Sequence, residues 1–170
     1  MYHSECGTCG NHNIGGLIVS CLICERIEMI KQGTNPYFIA ELETGYAVIG
    51  DHQHFKGYTL FLLREHFTEL HFMSHEMKKK HLEEMSLVYE AVFNAFKPDK
   101  MNAELLGNGD PHIHWHLFPR YDSDPLRRRP VWKLTKELMF RDEVKPTSAE
   151  LSEMVLSVKT EIDKLIKQYK

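Results

Sequence analysis

Pro111-His112-Ile113-His114-Trp115-His116-Leu117-Phe118-Pro119-Arg120 alternates imidazoles with apolar side chains. Along an extended strand, successive side chains point to opposite faces. His112, His114 and His116 therefore share one face. Ile113, Trp115 and Leu117 share the other, where they would pack into a core. Three imidazoles in a row make a poor core and a costly surface unless they do chemistry. One suitable chemistry is a three-histidine metal site of the catalytic-zinc kind, with ring nitrogens two residues apart converging on one ion. Another is nucleophilic attack of one imidazole on phosphorus, forming a phosphoramidate. The spacing alone leaves both open.

The rest of the chain frames this strand. Met101–Leu106 reads as the strand before it, joined through the turn Gly107-Asn108-Gly109-Asp110-Pro111. Upstream, Met77, His81, Met85, Val88, Val92 and Phe96 recur at helical steps, which predicts one long helix over His75–Phe96. Ser74 is its candidate N-cap, and Pro98 stops it. Further upstream are strand-like runs at Tyr37–Glu43, Tyr46–Ile49 and Tyr58–Leu63, with a hairpin signal at Thr44-Gly45. Leu17 to about Gln32 reads as a short helix. Thr147–Tyr169 reads as the last helix, with Thr147 and Glu150 at capping-box spacing. The order helix, strands, helix, strands, helix predicts α+β architecture with an antiparallel sheet.

Composition bounds the function. The 170 residues carry a net charge of −3 and are 42% hydrophobic and 26% charged. That fits one soluble domain and argues against a general binder of nucleic acid or membrane surfaces. No apolar run approaches the ~18 residues of a membrane span. MYHSECGTCG lacks the basic-then-apolar order of a signal peptide, so a cytoplasmic protein is expected. The four cysteines form two C-x-x-C pairs, Cys6/Cys9 and Cys21/Cys24, which favours metal or redox chemistry over structural disulfides.

The run His112-Ile113-His114-Trp115-His116-Leu117-Phe118 resembles the signature of the histidine triad (HIT) family, in which histidines alternate with apolar residues, and it matches every position. Cys21-Leu-Ile-Cys24-Glu-Arg-Ile is similar to the opening of many bacterial members. Gly57–His66 resembles the strand in which a Gly-His pair, a Leu, a Pro and a closing His are common; here Tyr58 stands for the His and Leu63 for the Pro. These motifs span about residues 21–120.

The resemblance implies a five-stranded antiparallel sheet with two main helices, here with an extra C-terminal helix, and usually a homodimer. It divides the chain into a flexible tail at 1–16, a HIT-like catalytic domain at 17–130 and a C-terminal helical extension at 131–170. It also implies an enzyme: a nucleotide phosphohydrolase that cleaves at the α-phosphate of a dinucleoside polyphosphate or an adenylylated small molecule. A nucleotidyltransferase or phosphorylase of the same chemistry, or a non-catalytic zinc-stabilised nucleotide-binding module, is the alternative. By position, His114 is the nucleophile, flanked by His112 and His116. Asp51 is the candidate ribose ligand, and Asn108 a candidate phosphate or leaving-group contact.

Cys21, Cys24, His66 and His112 match the ligands of a zinc-carrying branch. Such a site is closed and tetrahedral, hence structural. The competing set is Cys6, Cys9, Cys21 and Cys24, whose eleven-residue central spacer is shorter than the usual ~15–20. Arg120 and Arg127–Arg129 read as a solvated loop or as partners for a polyphosphate. His52 and His54 read as surface or pocket-rim residues, and His71, His75 and His81 as helix-face or cap residues.

Overall fold

The computed structural model describes residues 12–14, 17–19, 21–124 and 126–169. Strands β1 (His12–Ile14) and β2 (Leu17–Val19) pair antiparallel. Helix α1 (Leu22–Lys31) follows. Then come β3 (Phe38–Glu41), β4 (Gly45–Ile49), β5 (Thr59–Leu63), the long helix α2 (His75–Phe96), β6 (Lys100–Glu104) and β7 (His114–Arg120). A single-turn α3 (Lys136–Met139) precedes α4 (Ser148–Gln168). Strands β3 to β7 form one antiparallel sheet in the order β3-β4-β5-β7-β6. No described helix is long and apolar enough to cross a membrane.

Local signals explain most boundaries. Ser74 Oγ accepts from Met77 N at 3.1 Å and caps α2. Thr147 and Glu150 form a reciprocal capping box on α4. The helix expected from Leu17 begins instead at Leu22. Leu17–Val19 is extended and paired with β1, and Cys21 is an extended N-cap whose Sγ accepts from Cys24 N at 3.5 Å. The triad strand begins at His114 rather than Ile113. The backbone of Ile113 bonds to the end of β5 and to the segment after it, with its C=O accepting from Leu63 N at 3.0 Å and its N–H donating to Phe67 O at 2.8 Å.

The sheet is covered on both faces, so β4 is buried along its whole length, as for strands packed between layers. On one face Ile39, Ala47, Ile49, Phe61 and Leu117 pack against Val88, Ala91 and Val92 of α2 and against Leu151, Met154, Val158, Ile162 and Leu165 of α4. On the other, Tyr46, Val48 and Leu62 pack against Ile23 and Ile27 of α1. Helix α4 is therefore a full partner in the main core.

A chain of polar groups crosses that core. Trp115 Nε1–H donates to His81 Nε2 at 3.2 Å. The other ring nitrogen then carries the hydrogen and donates to Thr44 Oγ1 at 3.0 Å. Thr44 in turn donates to Glu84 Oε2 at 2.6 Å, and the same carboxylate accepts the backbone N–H groups of Glu43 and Thr44. His81, read from sequence as a helix-face residue, is wholly buried and links the triad strand to α2 and the β3–β4 turn. Every donor in the chain has an acceptor, so the network positions the strand without an orphaned group.

Ile162→Ala should lower unfolding stability by about 2–5 kcal/mol, because it empties a fully buried site between α4 and the sheet. Leu156→Ala, on the exposed side of the same helix, should change it by less than about 0.5 kcal/mol. Equilibrium urea denaturation of both variants checks the contrast.

Candidate active site and metal centre

Two sites meet at the start of β7. In the first, Cys21 and Cys24 from α1 and its cap, His66 from the segment after β5, and His112 bring their ligand atoms within 4.8 Å of one another. His112 Nδ1 lies 3.6 Å from Cys21 Sγ and 3.4 Å from Cys24 Sγ, and His66 Nδ1 lies 3.3 Å from Cys24 Sγ. A tetrahedral ion with ordinary metal–sulfur and metal–nitrogen bonds separates its S and N ligands by about 3.5 Å. These three sulfur–nitrogen distances match the spacing of a tetrahedral shell, and the donor set fits a borderline-soft divalent ion.

The protonation states agree. His112 Nε2–H donates to Leu63 O at 2.8 Å, which leaves the Nδ1 lone pair facing the sulfurs. Hydrogen bonding from Cys24 outweighs burial and holds the Cys21 thiol well below its ordinary value. Among the described residues this is the one grouping able to hold a metal ion. Cys6 and Cys9, the competing pair, lie outside the described residues.

The second site is the triad face of β7. His114 is buried, and its Nδ1–H donates to the carbonyl of His112 at 2.6 Å. That bond fixes the tautomer and leaves Nε2 unprotonated, with no partner among the described residues. The rings of His114 and His116 meet edge to face at 4.7 Å. His116 Nδ1 lies 2.6 Å from the Tyr58 hydroxyl. Burial, with the charge of His114 second, pushes His116 down to about 4, so it is neutral at pH 7.

Both histidines line a cavity of about 410 Å³, within the range of small-molecule sites. Leu22, Ile23, Val48, Leu60 and Leu62 give it apolar walls. Asp51 also lines it, paired with Arg26 through Arg26 Nη2 and Asp51 Oδ2. Phe140, beyond α3, closes one side with its ring edge on His52 at 5.5 Å. Asn108 is exposed in the turn before β7 and does not line the cavity, whereas Asp110 does.

Arg120 is buried. It donates to Asp124 Oδ2 at 2.9 Å, to Leu126 O at 2.7 Å and to Arg129 O at 3.0 Å, so it organises the loop after β7. Arg127 pairs with Asp122, and Arg128 and Arg129 are exposed; none of the four arginines lines the triad cavity. A larger cavity of about 730 Å³ lies where Lys56, Phe96, Tyr121, Arg141, Glu150 and Glu153 meet. It contains no triad residue and mixes both signs of charge, so the smaller cavity is the functional candidate.

Arg26 and Phe140 carry no sequence signal of their own. Arg26 lies inside the Cys21–Ile27 motif, where it is given no role of its own, and Phe140 lies in a segment read as an extension. Tyr58 is visible only as a departure from a common pattern.

With this geometry in view, comparison with known proteins is direct. The HIT domain family model matches residues 35–123, just over half of the chain. The chain belongs to the HIT family, a family of nucleotide-binding and nucleotide-cleaving proteins. Comparison with curated proteins gave no significant match.

Among solved structures, a histidine triad protein from Bradyrhizobium japonicum is 21% identical with a TM-score of 0.65, covering 74% of this chain and 89% of its own. A Zn-bound histidine triad family protein from Mycobacterium smegmatis is 19% identical with a TM-score of 0.57, covering 88% and 97%. A diadenosine triphosphate hydrolase from Plasmodium falciparum is 12% identical with a TM-score of 0.56, covering 76% and 78%. At these identities the likeness is one of fold.

His81 and His116 both titrate well below a free imidazole, His81 being pushed to about 4 chiefly by burial and next by the charge of His112. Between pH 6.5 and 4 the unfolded chain therefore binds more protons than the folded one. Their contribution to stability is whole above about pH 6.5 and is lost as pH falls towards 4, by up to about 3 kcal/mol for each. Melting temperature should fall across that window. NMR should show both rings still neutral at pH 5.

Proposed function

We propose that the chain is a nucleotide phosphohydrolase of the HIT type, acting on a dinucleoside polyphosphate or an adenylylated small molecule. The observation that carries the reading is the bond from His114 Nδ1–H to the His112 carbonyl, which presents Nε2 as a lone pair inside the cavity. In the reaction, Nε2 attacks the α-phosphorus, a P–N bond forms, and the bond to the leaving group breaks with its electron pair on that group. Water then attacks the same phosphorus and gives up a proton, the P–N bond breaks, and His114 is restored as the nucleoside monophosphate leaves. His116 donates to the phosphoryl oxygens as charge moves onto them. Asp51, held by Arg26, takes the ribose hydroxyls. Asn108 contacts the leaving group if the turn before β7 closes over it. The fold shared with a diadenosine triphosphate hydrolase supports the substrate class.

Zinc is the ion we assign to the Cys21, Cys24, His66 and His112 set. A closed four-ligand shell has no open position for substrate, so its contribution is to stability and to the placement of His112. The protein is read as a soluble cytoplasmic homodimer, with the β6 edge and the exposed Leu82 and Phe93 of α2 available to a second copy. No nucleic-acid or membrane partner is proposed.

Elemental analysis should find about one zinc per chain. Cys21→Ser should lose it together with a large drop in melting temperature, and equal loss in Cys6→Ser would transfer the assignment to the four-cysteine set.

His114→Ala should fold, keep its metal, and lose at least ~10³-fold in kcat on diadenosine polyphosphates, because the covalent route has no substitute. Rapid quench of the wild type should trap an acid-labile nucleotide on His114. Near wild-type turnover by His114→Ala, or inversion at a chiral α-phosphorus, would sink the nucleophilic reading.

A further inference from the structure

Tyr58 occupies a built slot. Its ring stacks on Phe118 at 4.4 Å and 5°. The ring also fits only because residue 50 is glycine: a Cβ there would stand 2.2 Å from the Tyr58 ring. The slot delivers the hydroxyl to His116 Nδ1 at 2.6 Å, and the hydroxyl has no other partner among the described residues. His116 Nε2 has none either, and the residue lines the cavity that holds His114.

The direction of this bond follows from chemistry. Burial, followed by the charges of Asp51 and Glu104, raises the Tyr58 pKa far above its ordinary value, so the phenol keeps its proton. A buried O–H needs an acceptor, and a neutral imidazole offers one only at the nitrogen without hydrogen. Were Nδ1 protonated instead, the phenol hydrogen would have no acceptor in the slot.

We propose that Tyr58 is a positioning residue for His116: its O–H donates to Nδ1, fixes the ring as the Nε2–H tautomer, and makes that N–H a standing donor toward the space beside His114. The role rests on the reading of His114 as nucleophile. A donor already aimed at the phosphoryl oxygens needs no reorganisation as they gain charge. Without the hydroxyl both tautomers become available, and the Nδ1–H form turns a lone pair toward those oxygens. Tyr58 thus fills with a phenol the position where a histidine is common in the family.

Tyr58→Phe keeps the ring and its stacking and deletes only the O–H. Nitrogen-15 NMR of the zinc-loaded wild type at pH 7 should show His116 as Nε2–H, and the variant should show both tautomers. With diadenosine polyphosphates the variant should lose about 10- to 100-fold in kcat with KM within about threefold. Metal content and melting temperature should stay near wild type. A wild-type His116 carrying its hydrogen on Nδ1 overturns the proposal, whether or not the variant folds. So does a variant whose kcat and tautomer are unchanged. A wild type that cleaves none of these compounds, yet shows the tautomer change in Tyr58→Phe, sustains the positioning role and removes the hydrolase reading instead.

Discussion

Contacts through three atoms of His112 hold the two sites in one frame. The ring donates through Nε2 to Leu63 O at 2.8 Å and faces the two cysteine sulfurs through Nδ1 at 3.4 and 3.6 Å. Its own carbonyl accepts the His114 Nδ1–H at 2.6 Å. Beside it, Ile113 is bonded to Leu63 at the end of β5 and to Phe67 in the segment that follows. A shift of this peptide would move the candidate metal ligand and the candidate nucleophile together. In that physical sense a closed metal shell at this cluster would serve chemistry it does not touch: it would fix a backbone carbonyl, and the carbonyl fixes a tautomer.

The two faces of β7 divide the work. On the cavity face, His114, His116, Tyr58 and Phe118 form a run of ring contacts, with Tyr58 and Phe118 nearly parallel. On the opposite face, Trp115 and Leu117 anchor the strand, Leu117 in the apolar core and Trp115 through its N–H to His81. Side chains that must be exact in orientation therefore sit on a strand immobilised from behind, which is how a precise site is built on a rigid element.

The legible parts were those with a period. The alternation at 112–118 assigned the faces of β7, and the helical steps of α2 and the capping-box spacing at the start of α4 gave both helices to within a residue. The metal set was reachable only through the family's motifs, because its members are separated by up to ninety-one positions in the chain and no local rule joins Cys21 to His112. Pairing, rather than propensity, made Leu17–Val19 a strand: its apolar residues satisfy helical and extended patterns alike, and β1 decides. Glu84 carries no such signal, since a carboxylate beside an apolar stripe reads as surface. Its burial depends on two backbone N–H groups forty and forty-one residues away. Phe140 reaches the cavity through the path of a segment with no periodicity at all.

The HIT match ends at residue 123, yet the main core does not close without residues 151–165. During synthesis the sheet and α2 are complete well before α4 emerges, so the apolar surface around Ile39, Ala47 and Val158's future contacts is made early and covered late. Partly made chains of this kind expose sticky surface for seconds at ordinary elongation rates of ~5–20 residues per second. Closure of the main core therefore waits on the helix that lies beyond the recognised domain.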